Sequence, residues 1–136
     1  MLRLLAIITI ALTTPVAAHT IDCVDPNSEV TLQIVESYDE TTGEFGLVSA
    51  KFQIVDDLGY TSADDPSNDG EITLINSVQD WENLAFDMHL RNVEKGYDSI
   101  VGSIRMSRAQ EGSIEAIGGT LHVSGGGAWA VTCDVH

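Results

Sequence analysis

The chain has 136 residues, with 21 acidic side chains against 6 basic ones and a net charge of −15. Such a balance excludes nucleic acid as a partner, because phosphates demand a basic surface, and it equally excludes an anionic membrane surface. The length suits one domain with a single core.

The first residues read as an export signal. Arg3 gives a short basic start, residues 4–12 are apolar, and Val16, Ala17 and Ala18 place small side chains before a cut at His19. The apolar run is shorter than the roughly 20 residues that span a bilayer. Cys23 follows Thr20, Ile21 and Asp22, which do not form a lipid-attachment motif. Residues 1–18 are therefore expected to be a signal peptide and 19–136 a single all-β domain, periplasmic or secreted. Losing Arg3 makes the exported chain still more acidic.

Cys23 and Cys133 are the only cysteines. In an exported chain such a pair is usually a disulfide, and only one intramolecular pairing exists. A loop of about 100 residues closed in this way is worth roughly 4–5 kcal/mol by chain entropy.

Along the chain, Val30, Leu32 and Ile34 alternate with polar residues, which predicts a half-buried strand over 29–37. Turn chemistry at 38–43 puts Gly43 where a positive φ is needed. A second strand over 44–56 would place Val48, Ala50, Phe52 and Ile54 on one face and pair with the first as a hairpin. Residues 58–70, rich in Asp, Ser, Gly and Pro, read as loop. A strand resumes over 71–76. Ser77, Asp80 and Trp81 resemble a capped helix start, which predicts a helical turn over 77–82. Leu84, Phe86, Met88 and Leu90 then alternate as a strand over 83–92; an amphipathic helix through 77–95 is the rival reading.

The turn at 92–98 leads into a strand over 99–107 with Ile100, Ile104 and Met106 inward. A further turn at 108–112, a short strand at 113–117 and a bend at Gly118 and Gly119 follow. Leu121 and Val123 face one way and His122 the other. Gly125, Gly126 and Gly127 form a hairpin turn, and Trp129, Val131, Cys133 and Val135 share the core face of the last strand. About eight strands and almost no helix predict an antiparallel β-sandwich or small closed β-barrel, with first and last strands stapled by the disulfide. Pairing those strands would remove two exposed edges.

Two stretches could hold metal. Asp65, Ser67 and Asp69 stand at positions 1, 3 and 5 of a calcium-loop pattern, with Gly70 at 6, Glu71 at 7 and Ile72 at 8. Ser67 replaces the usual carboxylate or amide, and Asn76 at position 12 cannot give a bidentate carboxylate. Cleavage before His19 would leave an α-amine and an imidazole, one arm of a copper-binding histidine brace; His89, His122 or His136 would have to complete it. Trp81 and Trp129 are expected in the core.

No catalytic motif is present: there is no Gly-x-Ser-x-Gly, His-Glu-x-x-His or phosphate-binding glycine loop. Binding is favoured over catalysis. The charge points to docking a basic protein, a cationic cell-wall hydrolase being one example, with calcium binding as the alternative and no other cofactor expected.

Overall fold

The computed structural model describes residues 17–55, 59–62 and 71–136. Nine strands follow in chain order: β1 (Ala17–Val24), β2 (Val30–Asp39), β3 (Glu44–Ile54), β4 (Gly59–Thr61), β5 (Glu71–Gln79), β6 (Asn83–Asn92), β7 (Tyr97–Glu111), β8 (Ile114–Val123) and β9 (Gly127–Val135). They form one antiparallel sheet in the order β4-β3-β2-β1-β9-β8-β7-β6-β5. The sheet curls into a nearly closed barrel, with β3 and β5 approaching each other at the seam. Strands one and nine pair at its centre, and the edges that the seam must manage are β4 and β5.

Cys23 and Cys133 are direct register partners of β1 and β9, and the disulfide between them is formed. A bridge of this kind belongs to an oxidising, non-cytoplasmic compartment. β1 begins at Ala17, and Ala17 and Ala18 pair with Tyr38 and Ser37.

The interior is filled by alternate side chains. Ile21, Val30, Leu32, Ile34, Phe52, Phe86, Met88, Ile104, Leu121 and Val123 are all buried. Phe52 on β3 reaches across to β7, where a Cβ added at Gly102 would lie 3.0 Å from its ring. β3 and β7 are not sheet neighbours, so this contact crosses the barrel.

Several expected boundaries are corrected. Ser77 to Glu82 form no helical turn: β5 runs on to Gln79, and Asp80 caps a tight hairpin. Its Oδ1 accepts the N–H groups of Glu82 at 2.8 Å and Asn83 at 2.7 Å, an Asx arrangement that competes with helix formation. Residues 59–61, expected as loop, form the short strand β4 against residues 51–53 of β3. β7 extends through the turn expected at 108–112 as far as Glu111.

Gly118 and Gly119 do not bend the chain but lie inside β8. A Cβ at Gly119 would meet the Arg105 carbonyl oxygen of β7 and cannot be accommodated, so glycine is required there for close strand approach.

Bulges reset the inner face in two strands. In β3, Val35 pairs with Ser49 and Glu36 with Leu47, leaving Val48 unopposed; Val48 turns outward and Leu47 packs on the core. In β7, Met88 pairs with Gly102 and His89 with Ile100, so Val101 takes the buried place and Ile100 is exposed. A third bulge, in β5, puts Asn76 at φ 53°.

Candidate binding surface at the barrel mouth

Of the residues singled out in the sequence, the two cysteines are joined. Asp65, Ser67 and Asp69, with Gly70, lie outside the described residues. Glu71 opens β5, its backbone paired with Arg91. His19 lies on β1 opposite Glu36, on the face it shares by alternation with Ile21 and Cys23. His136 instead exchanges backbone hydrogen bonds with Thr20, at 2.8 and 3.0 Å, and its ring lies 3.9 Å from Asp22 on the outer face.

The structure therefore sets His19 and His136 on opposite faces. His89 pairs with Asp98 at 2.7 Å, and His122 is exposed on β8. Among the described residues no group of three or more His, Cys, Asp or Glu side chains is placed to hold a metal ion.

The most organised polar cluster lies at the end of the barrel formed by the β2–β3, β5–β6 and β7–β8 turns. At its centre is Glu36 of β2, only 1% exposed. Its Oε1 accepts a hydrogen bond from Arg108 Nη2 of β7 at 2.8 Å, and its Oε2 accepts one from Gln79 Nε2 of β5 at 2.8 Å. Arg108 Nε reaches Glu115 Oε1 of β8 at 3.0 Å. Gln79 thus ties β5 to β2 across the seam, where no backbone ladder among the described residues does so.

Arg108 is inward by alternation, in line with Ile104 and Met106, and its side chain is 9% exposed. Its guanidinium lies 5.6 Å from the centroid of Phe45 and 5.1 Å from that of Trp81. Tyr38, Phe45 and Trp81 form a row of rings, with centroids 4.8 and 6.1 Å apart in turn. Stacking a cation on such faces is worth about 0.5–2 kcal/mol. The Arg108 backbone N–H also donates to the Glu82 carbonyl at 2.8 Å, locking the β5–β6 turn onto β7.

Beneath this plug lies a void of about 10 Å³, lined by Ile21, Glu36, Trp81 and Arg108 among others. That is room for one water at most. The mouth is therefore closed.

Outside the plug lies an open recess of about 400 Å³, lined by Gly43, Glu44 and Phe45 from one turn and Gln79, Asp80 and Trp81 from the other. Trp81 is 45% exposed, contrary to its expected place in the core. Trp129 does pack partly buried against the core. Glu44 and Asp80 line the recess, and the turns at this end of the barrel carry further carboxylates: Glu40 at the β2–β3 turn, Glu82 at the β5–β6 turn, and Glu111 and the Arg108-paired Glu115 at the β7–β8 turn. The Asn83 and Glu82 backbone N–H groups hold the Asp80 carboxyl below its ordinary range, so it is charged at neutral pH.

A second concavity, about 440 Å³, lies on the outer face over β9, β1, β2 and β3. Asp134, Asp22, Gln33 and Lys51 form its floor, with Gln33 bonded to Asp22 at 2.9 Å. Its charge is mixed and its lining contains no aromatic ring, which makes it the weaker candidate for a site.

Sequence reasoning missed Arg108, Phe45 and the exposure of Trp81. A signal was present: an arginine keeping step with Ile104 and Met106 occupies an inward position and needs a buried carboxylate. Comparison with protein-family models, with curated proteins and with solved structures gives no match.

Proposed function

We propose that the protein is an exported binding module, periplasmic or secreted, that docks a cationic protein through the barrel mouth. The observation that carries this reading is the coincidence, at one end of the barrel, of a half-exposed tryptophan and a ring of carboxylates on three hairpin turns. Aromatic anchors within a polar rim are the anatomy of a protein interface. The net charge of −15 adds long-range attraction for a basic partner. Arg108 and Arg105 offset carboxylates of the chain itself, Glu36 and Glu115 for the one and Asp87 for the other, so the charge at the rim comes from Glu40, Glu44, Asp80, Glu82 and Glu111.

The test places the charge as well as detecting it. Binding of lysozyme, as a basic probe, is measured by calorimetry at about 20 mM salt and again at about 300 mM, where screening shortens the reach of exposed charges to a few ångström. Glu40→Gln/Glu82→Gln at the mouth is compared with Glu29→Gln/Glu94→Gln at the opposite end, four exposed side chains changed in matched pairs. The mouth pair should weaken binding about tenfold and the opposite pair less than about twofold. Equal losses would mean diffuse attraction and would overturn the placement; an absence of binding at low salt would overturn the function.

A further inference from the structure

We infer that the recess beside Trp81 receives the side chain of an arginine carried by the cationic partner. This rests on the reading of the mouth as a docking surface and names the group that the surface would recognise. The molecule supplies its own precedent, since Phe45 and Trp81 already stack on the guanidinium of Arg108. Trp81 keeps almost half its surface exposed, so indole remains for a second planar cation.

The recess combines that indole with Glu44 and Asp80 from facing turns. Asp80 Oδ1 accepts from the backbone N–H groups of Asn83 and Glu82, and the Asn83 side-chain amide lies 3.2 and 3.4 Å from its two oxygens, which anchors the carboxylate and keeps it ionised. Glu44 is exposed. At about 400 Å³ the recess admits a long side chain and its water, and excludes any folded element.

Arginine fits better than lysine for two reasons. Its planar guanidinium stacks flat on an indole while presenting N–H groups in the plane to carboxylates on either side. It is also more weakly hydrated than an ammonium, so less is lost on leaving water. The same pairing of aromatic face and in-plane carboxylates already surrounds Arg108, with Glu36 and Glu115 as acceptors. The recess repeats this arrangement one layer further out.

The test uses three blocked pentapeptides in which glycine alternates with arginine, lysine or citrulline, the last keeping the shape of arginine without its charge. Each is titrated into the 15N-labelled protein at about 20 mM salt, following the two indole N–H signals. The arginine peptide should shift the Trp81 indole and leave that of Trp129 in place. It should bind about tenfold tighter than the citrulline peptide and about threefold tighter than the lysine peptide.

Glu44→Gln, which leaves the Arg108 stack untouched, should weaken the arginine peptide about threefold or more. Trp81→Leu should abolish its preference over lysine. Equal binding of arginine and lysine peptides with a stationary Trp81 signal would overturn the inference. If that result came with lysozyme still sensitive to Glu40→Gln/Glu82→Gln, the docking mouth would stand and only the arginine recess would fall. If neither lysozyme nor any peptide bound, both would fall together.

Discussion

Two arginines on β7, three residues apart, form ion pairs on opposite sides of the sheet. Arg108 points inward to Glu36, and both side chains are withdrawn from water, at 9% and 2% exposure. Arg105 points outward to Asp87 at 2.7 Å, with its side chain 51% exposed and that of Asp87 8%. The inner pair links β2 to β7 across the barrel and, with Gln79, spans the seam. The outer pair joins adjacent strands that already share a full ladder. The inner pair therefore joins strands that share no backbone ladder among the described residues, while the outer pair reinforces a contact already made.

The largest expected effect follows from that difference. Arg108→Ala should cost about 3–5 kcal/mol, because it strands the buried Glu36 carboxylate without its cation. It should also free Trp81 and Phe45, seen as a red shift and quenching of tryptophan fluorescence before global unfolding. Replacing both partners by apolar groups, Arg108→Met with Glu36→Leu, should recover most of the loss in chemical denaturation. A loss no larger than that of Arg105→Ala would remove the distinction between the two pairs.

Asp87→Ala comes next, at about 1–3 kcal/mol. Asp87 accepts from Arg105 at 2.7 Å and from Asn76 at 2.8 Å, so its loss unseats an outer cation and also the side chain that holds the left-handed residue of the β5 bulge. Hydrogen exchange should then quicken at residues 75–78 while the amides of β1 and β9 stay protected. Uniform loosening of the whole barrel would mean that the bulge is not a local unit.

How much of this was legible in the sequence follows strand by strand. Val30, Leu32 and Ile34, and Leu84, Phe86, Met88 and Leu90, are buried as their period of two requires. Alternation failed at Val48 and Ile100 because a bulge adds one residue and inverts parity, and no residue type marks the insertion. Gly118 and Gly119 read as punctuation, whereas their lack of a Cβ is spent on strand approach, a tertiary requirement. The charge of the mouth could be read as composition, but its location could not, since it depends on which turns share one end. Arg108 was hidden by its polar neighbours, which read as turn although β7 runs past them.

Acid should distinguish the pairs further. Burial pushes the Asp87 carboxyl up, but hydrogen bonds from Asn76, Arg105 and Ser103 and the charge of Arg105 outweigh it, leaving its pKa below the ordinary 3.8. Asp25 is lowered too, chiefly by the Val30 N–H at 2.8 Å, where it organises the β1–β2 turn. A carboxyl depressed on folding adds stability that is fully present above the unfolded pKa and is lost as pH falls through the folded one. Stability should therefore decline below about pH 4. Asp87→Asn should flatten that decline at the expense of lower stability at neutral pH, measured by urea midpoints from pH 7 downwards.

The smallest effect is expected for Arg105→Ala. Its guanidinium also donates to the carbonyls of Phe86 at 2.8 Å and Ile104 at 2.7 Å, yet half its surface faces water, which can replace those bonds. The loss at neutral pH should be about 1 kcal/mol or less. Asp87 would keep its bonds from Asn76 and Ser103 but lose the cation opposing its burial, so its pKa should rise towards the ordinary value. The acid limb of the stability curve would begin at the same pH but be shallower and end at higher pH than in the parent. The loss from Arg105→Ala would thus be present at neutral pH and shrink as acid protonates Asp87, the two curves converging at low pH. Arg108→Ala should show a larger loss at pH 7, because the inner pair joins strands across the seam. If both variants lost stability equally at pH 7, the faces of β7 would not differ in what their arginines do.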